Sequence, residues 1–171
     1  MHPLRTVAAG LLLLSAMTAC GGRTVTVSVP ADARNRHGAT GSLSARNVFE
    51  QLAASVGSIR KTGVVTAGND PGHLLGRHHE YLSKVTFSDS FVAGSDVTGS
   101  GRGEVERGGA VEVFATRSDA RARAAYIRGV TRAMPAFAER DYLRGRILVR
   151  VSRYLDAARA EAYSRAVDQL T

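Results

Sequence analysis

The sequence predicts an α+β fold, with a small, largely antiparallel sheet of three or four strands and helices packed mainly on one face as a two-layer sandwich. Several segments place apolar residues at helical spacing, while others alternate apolar and polar residues. Each helical segment has only one apolar stripe, and a single sheet suffices to cover such stripes. These segments occupy about 125 residues, enough for one core and too few for a two-lobed receptor.

The first helix is expected from about Asn47 to Ile59, with Val48, Phe49, Leu52, Val56 and Ile59 on one stripe and Asn47 with Glu50 as a capping pair. Gly63-Val64-Val65-Thr66 suggests a short strand. Asp70-Pro71 resembles a helix start and Gly76 its stop. Strands follow at Tyr81 to Phe87 and Ala110 to Thr116, separated by a Gly- and Ser-rich loop over about residues 94–109. Ser118 is expected to cap a helix reaching Met134, where Pro135 prevents continuation. Ile147 to Ser152 predicts a strand, and Asp156 the cap of a last helix carrying Ala162, Tyr163, Ala166, Val167 and Leu170.

Upstream of this domain the pattern changes. Arg5 precedes an apolar run from Val7 to Met17 that includes Leu11 to Leu14, the layout of a secretory signal. The run is about half of the roughly 20 residues a membrane-spanning helix needs. Thr18 and Ala19 lie before Cys20, and Gly21-Gly22 follow, which resembles the box read by lipoprotein-processing enzymes, with Met17 where Leu is usual. That resemblance implies cleavage between Ala19 and Cys20. The Cys20 sulfur would take a diacylglycerol as a thioether and the freed amine a further chain, and two or more chains anchor firmly. Residues 1–19 are therefore expected to be a signal peptide, 20–43 a lipid-anchored tether and 44–171 one globular domain. As a flexible chain the tether would span about 25 to 30 Å. Its alternation Thr24-Val25-Thr26-Val27-Ser28-Val29 also fits an edge strand.

The formal charge is +8, and of the 23 basic residues only Lys61 and Lys84 are lysine. GC-rich codons favour Arg, Ala and Gly together, so this skew alone does not demonstrate a guanidinium function. A basic domain tethered beside anionic lipid would still be drawn to the surface by about 1 kcal/mol per well-placed basic group. Export and the scarcity of aromatics among the arginines argue against nucleic acid. Cys20 is the single cysteine, so an intramolecular disulfide is excluded.

His73, His78, His79 and Glu80 are the densest candidate for chemistry, because imidazoles and a carboxylate can ligate zinc. The spacing is unfavourable, since Gly76 separates His73 from His78, and the adjacent His78 and His79 diverge in an extended chain. A solvated loop is the competing reading. Gly99-Ser100-Gly101-Arg102-Gly103 lacks the following helix a phosphate loop needs. No Gly-x-Ser-x-Gly elbow occurs. Arg117, Arg121, Arg128 and Arg132 share one helical stripe, and Arg144, Arg146 and Arg150 one strand parity. They form either a basic face or the solvated sides of amphipathic elements. Tyr126, Tyr142, Tyr154 and Tyr163 are expected at the core's edge with hydroxyls at the rim.

Asn69-Asp70-Pro71, Leu74-Leu75-Gly76-Arg77, Tyr81, Ser83-Lys84-Val85, Phe87 and Asp89 resemble the first half of a group of small uncharacterised actinomycete lipoproteins. Val111-Glu112-Val113-Phe114, Asp141-Tyr142, Gly145, Leu148 to Ser152 and Leu155 continue the likeness, which covers most of residues 47–170. His78-His79 depart from it, standing where a Pro-Gly or similar turn is expected. No catalytic or ligand residue carries over from this group. The expectation is a membrane-anchored, extracytoplasmic envelope lipoprotein without cofactor. It would be a non-enzymatic module binding an envelope protein or an anionic envelope surface. The competing class is a metal-dependent or other hydrolase using the His73–Glu80 segment.

Overall fold

A computed structural model describes residues 43–171. The signal segment, Cys20, the tether and the possible strand at 24–29 lie outside the described residues. Helix α1 spans Ala45–Val56 and is capped three residues before the expected capping pair, because the Ser44 hydroxyl accepts the Asn47 N–H at 3.3 Å. It stops at Gly57, whose φ of 74° is the left-handed conformation that glycine adopts without steric cost. Ile59, expected on the helix, therefore opens strand β1, Ile59–Val64.

The expected helix at Asp70-Pro71 is absent. Instead the Asp70 carboxylate accepts the N–H groups of Gly72, Leu74 and Leu75 at 3.3, 2.8 and 2.8 Å and the Tyr81 hydroxyl at 2.7 Å, holding a turn. Strand β2 is Ser83–Asp89. After two short 3-10 turns, Gly94–Val97 and Val105–Arg107, strand β3 spans Gly108–Val113. Helix α2, Arg117–Ala133, is capped by Thr116 rather than Ser118. Ala120, Ala124 and Ile127 are buried along one stripe of α2, whereas Met134, the expected end of the helix, is exposed.

Strand β4, Glu139–Arg144, was not anticipated, since Tyr142 and Leu143 are its only apolar residues. It pairs with β5, Ile147–Ser152, across a turn at Gly145, where φ is 56°. Helix α3, Ala157–Asp168, starts where expected, with Asp156 Oδ1 accepting the Arg159 N–H at 2.8 Å.

The strands form one antiparallel sheet in the order β1-β2-β3-β5-β4, five rather than three or four. Val85, Phe87, Val111, Val149 and Val151 face one side, where α1 and α3 cover them with Val48, Phe49, Leu52, Tyr163 and Val167. Opposite parity puts Leu148 on the other side, against Ala120, Ala124 and Ile127 of α2 together with Tyr81 and Phe114. Two of the three helices share a face, and α2 covers part of the second. The rest of that second face meets the Gly-rich loop, for Ser152 Oγ donates to the Glu106 carbonyl at 2.6 Å. Among the described residues no helix is long and apolar enough to cross a membrane.

Candidate functional site

The second face of the sheet carries charge. In register, Lys84 of β2 lies beside Glu112 of β3, and Asp141 of β4 beside Arg150 of β5. Glu112 is fully buried, with Lys84 Nζ at 2.9 Å, Arg150 Nη1 at 3.0 Å and Arg123 Nε of α2 at 3.6 Å. Arg150 also donates a bidentate fork to Glu139, Nε to Oε1 at 2.7 Å and Nη2 to Oε2 at 2.9 Å. Burial alone would raise the Glu112 carboxyl, but the cations of Lys84, Arg150 and Arg123 outweigh it and hold the group below the usual carboxylate range. Asp141 behaves oppositely. Burial, then the neighbouring Glu139 carboxylate, push it up to about 7.

Three adjoining concavities follow the Gly-rich loop across this face. The first, about 510 Å³, is lined by Arg60, Lys61, Thr62, Ser88, Arg102 and Arg107. It shares Thr62 and Arg102 with the second, about 400 Å³, which reaches Lys84, Thr86, Gly103 and Glu104. Lys84, Gly103 and Glu104 pass into the third, about 360 Å³, bounded by Phe137, Arg150 and Ser152. The loop forming their common wall is pinned: Arg107 donates from Nε to the Ser100 carbonyl at 2.8 Å and from Nη2 to that of Val97 at 3.1 Å, and Ser100 Oγ donates to Glu106. The result is a polar groove whose loop wall is held by these hydrogen bonds.

The histidine segment makes a different site from the one expected. His79 Nδ1 lies 2.6 Å from Asp119 Oδ1, and Thr116 Oγ1 donates to Asp119 Oδ2 at 2.6 Å, so a buried carboxylate orients an imidazole whose side chain is 68% exposed. A cleft of about 760 Å³ beside this pair includes His78, Glu80 and Ser118. Both His73 and His79 have positive φ, 49° and 65°. Among the described residues no group of three or more His, Cys, Asp or Glu side chains could hold a metal ion.

Arg117, Arg121, Arg128 and Arg132 are all exposed along α2. The second arginine set does not form a face. Arg144 ends β4, Arg146 lies in the turn, and Arg150 is drawn inward to Glu112 and Glu139. The tyrosines also divide: Tyr126 is 63% exposed, whereas Tyr163 is wholly buried and donates to Asp89 at 2.6 Å. Arg123 and Asp119 were missed by sequence reasoning, although Arg123 sits three residues from Ala120 on the apolar stripe, a spacing that marks a charge turned inward.

Comparison with protein-family models, curated proteins and solved structures finds no match for this chain.

Proposed function

We propose that this protein is a membrane-anchored cell-envelope lipoprotein, cleaved before Cys20 and facing the extracytoplasmic side, whose domain is a non-enzymatic binding module. The groove along the Gly-rich loop carries this reading. Its floor is polar and carries internal ion pairs: Lys84 and Arg150 reach Glu112, and Arg150 also reaches Glu139. Charges held in this way recognise a ligand with little reorganisation, the property that favours binding. The tether and acyl chains would hold that groove near the envelope surface, with the exposed arginines of α2 drawn to anionic groups.

The test is crosslinking from membranes with the lipidated protein as bait. A photoreactive group replacing Phe137 or Arg102 should capture a partner, whereas one replacing Arg165 on α3 should not. Equal capture from all three positions would reject the groove as the binding surface. Lipid labelling tests the anchor: Cys20→Ser should abolish acylation and release the protein or leave its precursor uncleaved, and a labelled, membrane-bound Ser variant would overturn it.

A second reading is favoured by the His79–Asp119 pair, because a carboxylate orienting an exposed imidazole is the arrangement of a general base in hydrolysis. Hydrolysis of an ester substrate lost in His79→Ala, or stoichiometric bound metal lost in His78→Ala, would establish this reading over the first.

A further inference from the structure

The first concavity of the groove differs from the other two in sign. Arg60, Lys61, Arg102 and Arg107 line it with the hydroxyl-bearing Thr62 and Ser88, and among the described residues no carboxylate does. Protein surfaces ordinarily intersperse charges, so this concentration requires an account.

How these cations are held supplies one. Arg60 Nη1 donates to the carbonyls of Ile59 and Gly57 at 3.0 and 3.4 Å, and Arg107 to those of Ser100 and Val97. Carbonyl oxygens orient a guanidinium without neutralising it. Neither Arg60, Arg102 nor Arg107 forms an ion pair with a carboxylate among the described residues. Lys61 is different, its ammonium lying 3.2 Å from Glu50 and over the Phe49 ring, so it contributes its stem to the wall and part of its field. Three guanidiniums, two of them fixed in place, thus converge on an open concavity large enough for a small headgroup.

We infer that this end of the groove is an oxyanion site for a phosphoryl group. Guanidinium forks match phosphate oxygens in bidentate geometry, and a phosphoryl group offers more acceptor oxygens and more charge than a single carboxylate. The Thr62 and Ser88 hydroxyls supply further donors at the rim. Two sources share this chemistry: the headgroup of an anionic phospholipid in the membrane to which the tether would hold the domain, and a free phosphate or phosphate ester. The inference rests on the groove being the binding surface.

The experiment uses the mature chain, residues 20–171, carrying Cys20→Ser so that acyl chains do not dominate vesicle binding. One arm titrates inorganic phosphate, with acetate as the carboxylate comparison, and reads binding by calorimetry. The other measures cosedimentation with vesicles of phosphatidylcholine alone and of phosphatidylcholine mixed with phosphatidylglycerol. Arg60→Ala with Arg102→Ala should weaken binding by about tenfold or more, from the loss of charge-assisted hydrogen bonds. Arg121→Glu with Arg128→Glu, on the separate basic stripe of α2, should change phosphate binding little.

Phosphate binding with that pattern, without vesicle binding, assigns the site to a soluble phosphate. Binding confined to phosphatidylglycerol vesicles, with the same loss in Arg60→Ala and Arg102→Ala, assigns it to the headgroup. No binding in either arm, equal binding of acetate, or dependence on the α2 pair alone overturns the inference. Overturned in that way, it would leave crosslinking from Phe137 intact, whereas failure of the groove reading would remove crosslinking as well.

Discussion

Gly109 of β3 lies opposite Phe87 on one neighbour and Val151 on the other. A Cβ there would stand 2.3 Å from the Arg150 carbonyl oxygen and 2.4 Å from Phe87 Cζ, because the aromatic ring fills the space a side chain would need. Phe87 cannot easily yield, being stacked on Tyr163 and packed against Phe49. Gly109→Ala is therefore expected to destabilise the domain by about 1–3 kcal/mol or more, read as a lower urea midpoint. Glu112 shows the electrostatic counterpart. Glu112→Gln retains the shape but removes the anion that Lys84, Arg150 and Arg123 surround, and breaking a buried pair in this way costs about 3–5 kcal/mol. The fall should be visible in the same denaturation assay, and an unchanged midpoint would mean that solvent or Glu139 compensates. Tyr163→Phe removes the donor to buried Asp89, for an expected loss of about 1–3 kcal/mol.

The sequence pattern puts the cap of α2 at Ser118 and Thr116 at the end of the preceding strand, although both are good N-cap residue types. The structure selects Thr116, whose Oγ1 accepts the Asp119 N–H at 3.1 Å while donating to the Asp119 carboxylate. Thr116→Ala should cost about 1 kcal/mol and Ser118→Ala only a few tenths, a difference that thermal denaturation resolves. Equal losses would show that the cap is shared. Strand β4 was illegible for a related reason. Its charged residues Glu139, Arg140, Asp141 and Arg144 conceal any apolar alternation, yet they suit an edge strand, where charge discourages pairing with another chain. Shifts at β2 and β3 were smaller: alternation identified both strands, and the ladder moved β2 two residues later and β3 two to three residues earlier.

At the scale of the whole domain, the carboxylates pull stability in two directions with pH. Glu112, Asp70 and Asp119 are each held below their ordinary values, so they contribute stability above the usual carboxylate range that is lost as pH falls through their folded values. Asp141 has the opposite sign. Raised from 3.8 to about 7, it retains its proton in the folded chain after the unfolded chain has lost one, so its contribution declines as pH rises between those two values. Asp141→Asn should therefore gain stability relative to the parent protein at about pH 8 compared with about pH 4. Urea midpoints across that range test this, and a difference independent of pH would refute the shared burial of Asp141 with Glu139.

The helices and most strands were legible because local periodicity reports which side of an element is buried. Asp156 could be read as a cap from its position, and Ile147 to Ser152 as a strand from its alternation. The layout around Cys20 likewise belongs to the sequence, and the proposal of a lipid anchor rests on it. Only the tertiary structure decided which polar residues act together: Glu112 meets Arg150 across 38 positions and His79 meets Asp119 across 40. No short-range pattern encodes such pairings, because strand order and helix placement bring them about. The same is true of the groove, whose basic end joins the β1 edge to a loop some forty residues further along the chain. Charge and residue type made arginine conspicuous in the sequence, but folding separated the buried Arg150 from the solvated stripe of α2 and brought Arg60, Arg102 and Arg107 together with no carboxylate among the described residues.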